Sequence, residues 1–537
     1  MKDGYDSSAR RVPFLHKADQ CKPELKSITV FPAAVVDISR NEAGAVGIAK
    51  AAPAQSMAAR PMKKDEELIL DFGTHVVGYL TLRLRATGNP QDSPAYLRLK
   101  FSEIAREIPE RSSDYNGWLS KSWIQEEFLH IDELPAEITL PRRYAFRFLQ
   151  IQVIDTSPKW QLVVESASCR AVSAVDDSQI AHCLQKWQPF RAGLPDQHLK
   201  QRLAHLEQVS LLTLKNCMQD VFEDGPKRDR RLWLGDLRLQ ALANYASFHQ
   251  NNLVKRCLYL FAGLPGKKGR MGACLFTRPD YLVDNVFLFD YALFFICTLH
   301  DYYRATGDRQ TLLDLWDTAA AQLKLAACDF DSQNRISAQA GENSFIDWKA
   351  GLDKQTSAQG IYLYAARALR ELAQVLNKQT VVERLTREIQ DKTQAARQYA
   401  WDPEKGLFVS GPQRQISYAS QVWMILAKVV DPEAGARILD RLQTCPEAIG
   451  MSTPYMNHYF TEALFLCGKS EEAIRHLDSY WGGMLDQGAD IQTHQEFHLL
   501  DPFVELTDFL PHGRGWMPRL AAENAQHIQF PIVMTPG

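Results

Sequence analysis

The sequence predicts a multidomain β + α chain, a β-sandwich followed by a closed toroid of helical hairpins, and three observations carry the prediction. Hydrophobic residues alternate with period two from Glu66 to Ala174, and from Asp176 to about residue 485 they recur with the helical period. No fixed-length repeat recurs in the helical part, which favours a closed ring over an open array. A length of 537 residues corresponds to about three or four domain equivalents at roughly 150 residues each, so a single small domain is excluded.

In chain order, residues 1–64 read as irregular and partly strand, with Ala45 to Ala59 rich in alanine and broken by Gly47 and Pro53. The β-domain covers 65–180. Its strands are read at Leu68 to Gly73, Val76 to Leu84, Tyr96 to Phe101, Tyr144 to Val153 and Trp160 to Glu165, separated by Gly, Asn, Pro and Asp turn signals. Short strands at this spacing suggest a sandwich. The helical domain, 190–537, offers helices at Gln197 to Cys217, Leu237 to Asn251, Val286 to Ala305, Gln310 to Cys328, Ser357 to Leu376 and Val381 to Tyr399. It continues with Ser417 to Val430, Pro432 to Leu442, Tyr455 to Cys467 and Glu471 to Trp481. Short turns join many of them. In Thr306-Gly307-Asp308, glycine supplies positive φ and aspartate caps the next helix.

Composition excludes several function classes. With 45% hydrophobic and 23% charged residues the chain buries large cores and is not disordered. Its 61 Lys and Arg against 64 Asp and Glu leave a net charge of −3, with no basic excess for nucleic acid or an anionic membrane. The N-terminus lacks a signal-peptide core and the longest apolar run, Val286 to Leu299, is interrupted by Asp290, so a soluble cytoplasmic protein is expected. The ten cysteines are scattered singly without metal-ligand spacing and are expected to be reduced, mostly buried thiols.

The densest polar segment, Glu223 to Asp236, lies between two apolar helices. If it is helical from Arg228 onward, Asp229, Trp233 and Asp236 share a face. Sugars suit such a face, because carboxylates bind hydroxyl pairs and indoles cover C–H surfaces, and glycosidic cleavage needs an acid opposite a second carboxylate. A solvated loop of mutually paired charges explains the cluster equally well. Asn343 to Lys349 repeats the combination with Asp347 beside Trp348, and Tyr480-Trp481-Gly482-Gly483-Met484 places an indole before a glycine pair in a loop after a helix.

Asp224-Gly225-Pro226-Lys227-Arg228-Asp229-Arg230-Arg231-Leu232-Trp233-Leu234-Gly235-Asp236 resembles the signature loop of bacterial α-L-rhamnosidases, approximately D-[CG]-P-x-R-[DE]-R-x-x-W-x-G-D. Further segments resemble the family in the same order: Leu70 to Gly73 with Gly78-Tyr79, Asp301 to Asp308, Phe345 to Trp348, and Tyr480 to Met484 with Gly488 to Asp490. The resemblance spans about residues 65–490. It implies an N-terminal β-sandwich with an (α/α)6 toroid of six helical hairpins, and inverting hydrolysis of terminal α-L-rhamnose without metal or organic cofactor. It further implies that Asp229 is the general acid, where the family commonly has Glu. Asp224 and Asp236 would hold sugar hydroxyls, with Arg228 as a neighbouring ligand. Trp233, Trp348 and Trp481 would belong to the rhamnose pocket, with Asp347 as the acidic partner of Trp348.

The sequence departs from the family at the base. Where the family's catalytic Glu is expected this chain has His494, and Glu496 is the nearest glutamate, with Asp490 as a second candidate. The tail from Leu510 to Gly537 matches nothing in the family pattern, through divergence or a change of reading frame. Inversion requires a carboxylate about 6.5–9.5 Å from the acid, so Glu496 carries the expectation of base. The substrates expected are rhamnose-containing small glycosides or oligosaccharides. The alternatives are a non-catalytic glycan-binding relative lacking the base, and an (α/α)6 hydrolase of another sugar. The β-domain serves as scaffold or as the contact of a homodimer.

Overall fold

The computed structural model of the chain describes residues 10–40, 46–116, 120–186, 196–228 and 230–486. After one helix, nine strands form the N-terminal part of the described chain: β1 (Lys26–Val30), β2 (Ala34–Arg40), β3 (Val46–Pro53), β4 (Glu67–Gly88), β5 (Ala95–Ser102), β6 (Glu126–Ile131), β7 (Ala136–Thr139), β8 (Tyr144–Asp155) and β9 (Trp160–Ser173). They pair in the order β1-β9-β4-β8-β5-β6, with β7 and the β2–β3 hairpin joined to β4. The pivot is the 22-residue β4. Its first half runs between β2 and β8, its register breaks between Asp71 and Val76, and its second half runs between β9 and β7. One strand thus serves two layers, whose inward residues, among them Leu70, Leu82, Leu97, Phe146, Ile151 and Leu162, share one core. In the second half Leu80, Leu82 and Leu84 are buried while Thr81 and Arg83 face outward, the alternation legible in the sequence.

The helices are α1 (Val12–Gln20), α2 (Asp177–Lys186), α3 (Gln197–Cys217), α4 (Leu234–Ala246), α5 (Asn251–Gly263), α6 (Phe289–Thr306), α7 (Arg309–Ala327), the short α8 (Ala338–Glu342), α9 (Gln355–Val375), α10 (Gln379–Tyr399), α11 (Tyr418–Leu426), α12 (Pro432–Gln443), α13 (Pro454–Leu466) and α14 (Ser470–Asp486). From α4 onward inner and outer helices alternate. α4, α6, α9, α11 and α13 pack against one another in sequence around the centre. The outer α10 and α12 bury a single stripe, Leu385, Ile389 and Ala396 in one and Ile438, Leu439 and Leu442 in the other. The arc ends where α14 packs on α3 through Leu203, Leu206, Val209, Leu477, Trp481 and Met484. Starts follow the sequence signals: Asp308, Ser417, Asp431 and Thr453 each accept a backbone N–H of the following turn, and Gly307 sits at φ 67°.

Three readings change. Residues 12–20, within the stretch read as irregular and partly strand, form the helix α1, while β1, β2 and β3 are its strands. Residues 251–263, not read as a helix from the sequence, form α5, whose outer face is covered by α1, with Leu15 packed against Gly263 and Arg256 donating to the carbonyl of Ala18. The segment Tyr480 to Met484 lies inside α14, so its glycine pair is helical. All ten cysteines are free thiols and six are buried; burial raises Cys257 and Cys297 to about 12. Among the described residues no helix is long and apolar enough to cross a membrane.

Candidate active site

The described residues of the signature segment are not helical before residue 234. Asp224 N–H donates to the carbonyl of Arg231, Arg228 and Arg230 both donate backbone N–H groups to the carbonyl of Gly225, and Gly225 supplies the φ of 63° that the turn needs. Leu232–Trp233 then pairs antiparallel with Cys274–Leu275, and Trp233 is the residue preceding α4. Asp236 therefore stands in the first turn of that helix, where the orphan N–H groups favour a carboxylate. A closed loop and a helix start, rather than one helical face, bring Asp224, Trp233 and Asp236 together.

The second wall is the loop that presents Trp348. Two buried carboxylates hold it. Asp290, 0% exposed, accepts backbone N–H groups from Tyr291, Phe345 and Ile346 at 3.0, 3.1 and 2.9 Å. Asp347 accepts from Ser452 N, Thr453 N, Thr453 Oγ1 and Trp348 N at 2.7–2.9 Å. Between them Ile346 adopts φ 51°, a costly conformation for a β-branched residue that persists because the surrounding bonds over-determine it. Burial raises both carboxyl groups above their ordinary range, and in each the accepted hydrogen bonds oppose that rise.

These elements enclose a pocket of about 210 Å³ lined by Asp224, Arg228, Trp233, Asp236, Trp348 and Tyr291, with Val286, Leu288, Phe345 and Thr453 completing its wall. Ligand pockets for drug-sized molecules run from roughly 300 Å³ upward, so this one suits a single sugar ring. Arg228 Nη2 lies 3.8 Å from Asp224 Oδ2, and its guanidinium rests over the Trp123 ring of the β-domain at 5.3 Å. Tyr291 Oη donates to Asp236 Oδ2 at 3.4 Å, and its ring meets Trp233 edge-on at 6.3 Å. Burial and the neighbouring Asp236, Asp290 and Asp224 hold the Tyr291 hydroxyl well above its ordinary pKa, so it remains a donor. A larger hollow of about 650 Å³ beside Asp331, Arg335, Tyr399 and Arg414 contains none of the residues selected from the sequence.

Of the residues selected from the sequence, Asp224, Arg228, Trp233, Asp236 and Trp348 meet in this pocket. Asp347 does not line it; it stands behind, orienting Trp348. Trp481 is 2% exposed in the α3–α14 cluster and does not line it either. Asp229 and Glu496 lie outside the described residues, as does Asp490. Sequence reasoning missed Tyr291, Asp290 and Trp123. The aspartate interrupting the apolar run at 290 was a usable signal, since a buried carboxylate needs donors to hold it, whereas nothing marked Trp123. Among the described residues no group of three His, Cys, Asp or Glu side chains is arranged to hold a metal ion.

Residues 32–171 match the glycosyl hydrolase family 78 α-rhamnosidase N-terminal domain, and residues 200–495 match the bacterial α-L-rhamnosidase six-hairpin glycosidase domain. A rhamnosidase from Klebsiella oxytoca with rhamnose bound superposes with a TM-score of 0.84 at 37% identity, covering 97% of this chain and 98% of that one. The family 78 rhamnosidase of Bacillus sp. GL1 shares the fold at TM-score 0.68 and 19% identity, over 90% of this chain and 49% of its own. The Streptomyces avermitilis α-L-rhamnosidase complexed with L-rhamnose does so at 0.60 and 14%, over 88% and 41%. No curated protein sequence matches.

Proposed function

The chain belongs to the bacterial α-L-rhamnosidase family and is a rhamnoside-cleaving glycoside hydrolase, and from that premise we propose that it removes terminal α-L-rhamnose from small rhamnosides with inversion. The observation that carries the reading is one ring-sized pocket lined together by the carboxylates of Asp224 and Asp236 and the indoles of Trp233 and Trp348. The carboxylates bind paired hydroxyls, and the indoles cover the C–H faces and methyl group of the deoxy sugar. Among the described residues the pocket has one lining cation, Arg228, which favours a neutral deoxy sugar over a uronate.

Asp229, next to Arg228 in the signature loop, is the proposed general acid that protonates the leaving oxygen. Glu496 is the proposed base, removing a proton from the water that attacks the anomeric carbon from the opposite face. Water's oxygen forms the new bond to carbon as the glycosidic bond breaks and the acid's proton goes to the aglycone. The proposed substrates are rhamnose disaccharides or other small rhamnosides met in the cytoplasm, with the pocket of about 210 Å³ taking the terminal ring. Self-association through the β-domain is checked by light scattering.

The test is release of p-nitrophenol from its α-L-rhamnoside by the wild type, Asp229→Asn and Glu496→Gln, with proton NMR of the first anomer formed. Expected are β-rhamnose from the wild type and a loss of about 100-fold or more in kcat for each variant, in line with general acid–base contributions. First formation of the α-anomer, or full activity of Glu496→Gln, overturns the assignment.

A further inference from the structure

Lys227 and Arg228, neighbours in the signature loop, point to opposite sides. Arg228 lines the pocket, whereas Lys227 turns into the β-domain and is 4% exposed. Its Nζ donates to Glu107 Oε1 at 2.5 Å and lies 3.7 Å from Glu103 Oε2. Both glutamates belong to the connection that follows β5, and both are buried. Glu107 Oε2 accepts the Glu103 N–H at 2.6 Å. Glu103 Oε1 is 2.9 Å from His75 Nε2, and His75 Nδ1 takes the Asn216 amide at 3.1 Å. That amide fixes the tautomer, so Nε2 carries the proton given to Glu103. Burial, then the Lys227 charge, hold His75 well below its ordinary pKa and therefore neutral. Lys100 fastens the same connection from beneath, donating to the carbonyls of Glu107, Ile108 and Glu110.

The sugar-binding carboxylates do not depend on this arrangement. Asp224 is set by its own backbone bridge to Arg231, and Asp236 by the first turn of α4 and Tyr291. What Lys227 holds is the tip between them. A buried ion pair is a poor source of net stability beside an apolar pair of the same volume, but it is directional and specifies one register.

We propose that Lys227, clamped by Glu107 and Glu103, is a positioning residue that sets the signature-loop tip for proton delivery, so that the β-domain is a working part of the catalytic centre. The inference rests on the reading that this loop carries the general acid. It has a consequence that loss of stability alone does not produce. An alkoxide leaving group needs the proton, whereas a dinitrophenolate leaves without it, so displacing the acid penalises the first substrate selectively.

The experiment compares methyl and 2,4-dinitrophenyl α-L-rhamnosides on the wild type, Lys227→Met, Lys227→Met/Glu107→Gln and Asp229→Asn. The double variant restores the net charge of the cluster, leaving Glu103 on its His75 hydrogen bond, and keeps an acceptor for the Glu103 amide, so its thermal stability recovers toward that of the wild type. It also supplies the reading if Lys227→Met does not fold. Expected is a fall of about 100-fold in kcat on the methyl glycoside and of about threefold or less on the dinitrophenyl glycoside, with KM nearly unchanged, in both Lys227 variants. Equal losses on the two substrates, or a methyl-glycoside rate that recovers with stability in the double variant, overturn the inference. An Asp229→Asn variant as active as wild type on the methyl glycoside overturns instead the assignment of the acid.

Discussion

Gly235 shows how one missing side chain shapes the pocket. A Cβ at this position would lie 2.4 Å from the Tyr291 ring, which is held between Trp233 on one side and Tyr455 on the other. The motif glycine therefore lets Tyr291 reach Asp236 across the first turn of α4. Alanine ordinarily stabilises a helix position by up to about 1 kcal/mol over glycine, but here the overlap costs about 1–3 kcal/mol and the overlap wins. Gly235→Ala is expected to lower the urea midpoint and to weaken L-rhamnose binding measured by calorimetry. Unchanged affinity would mean that Tyr291 has no part in orienting Asp236. Residue chemistry thus explains the W-x-G-D spacing, which the sequence presents only as a pattern.

At the scale of elements, His300 ties two inner helices together. From α6 its Nδ1 faces Asp301 Oδ1 at 3.3 Å, and its Nε2 faces Glu371 Oε2 of α9 at 2.8 Å. Burial works against the charged ring, but the hydrogen bonds and charges of Asp301 and Glu371 outweigh it and raise its pKa from 6.5 to about 9. A folded-state pKa above the unfolded value gives stability that is complete below about pH 6.5 and is lost as pH rises through about 9. Denaturation across that window is expected to show unfolding free energy falling by at most about 1.4 kcal/mol per pH unit from this group. His300→Gln should flatten the dependence, and a slope that survives the substitution would assign it elsewhere. The sequence exposed α6 and α9 as apolar helices; it did not show that their polar positions meet.

At the scale of the molecule, the loop between α3 and α4 is built against the β-domain as much as against the toroid. Arg143 pairs with Glu223 and Gln219, Arg230 donates to the carbonyl of Arg143, and Gln219 donates to the carbonyl of Val172. With both side chains of the Arg143–Glu223 pair about nine-tenths buried, Arg143→Met removes the cation bonded to Glu223, leaving it the more distant charges of Arg230 and Arg278, and is expected to cost about 1–3 kcal/mol. Urea unfolding measures this as a lowered midpoint at unchanged slope. A loss below about 1 kcal/mol would mean that water replaces the guanidinium, as at an exposed pair.

Local chemistry made much of this legible from sequence. Period-two and helical runs marked the two halves because each element buries one face, and Gly307-Asp308 marked a helix junction because its φ and cap are set within a few residues. The signature segment identified Asp224, Arg228, Trp233 and Asp236 as residues, while their arrangement in a closed loop rather than along one helix came from backbone bonds that spacing cannot show. Asp347 stands beside Trp348 as its acidic partner, but that it lies behind the pocket and that Trp481 packs on α3 were not legible, since the donors at 452–453 and the apolar neighbours on α3 are distant in the chain. The same reason hid the clamp on Lys227, and it hid the cover that residues 12–20 place on α5. The sequence by itself determined element types and the chemical inventory, because these follow from neighbours in the chain. Which carboxylate faces the pocket, which stands behind it, and which lysine turns away were decided only by tertiary structure, because burial and partnership are set by residues far apart in sequence.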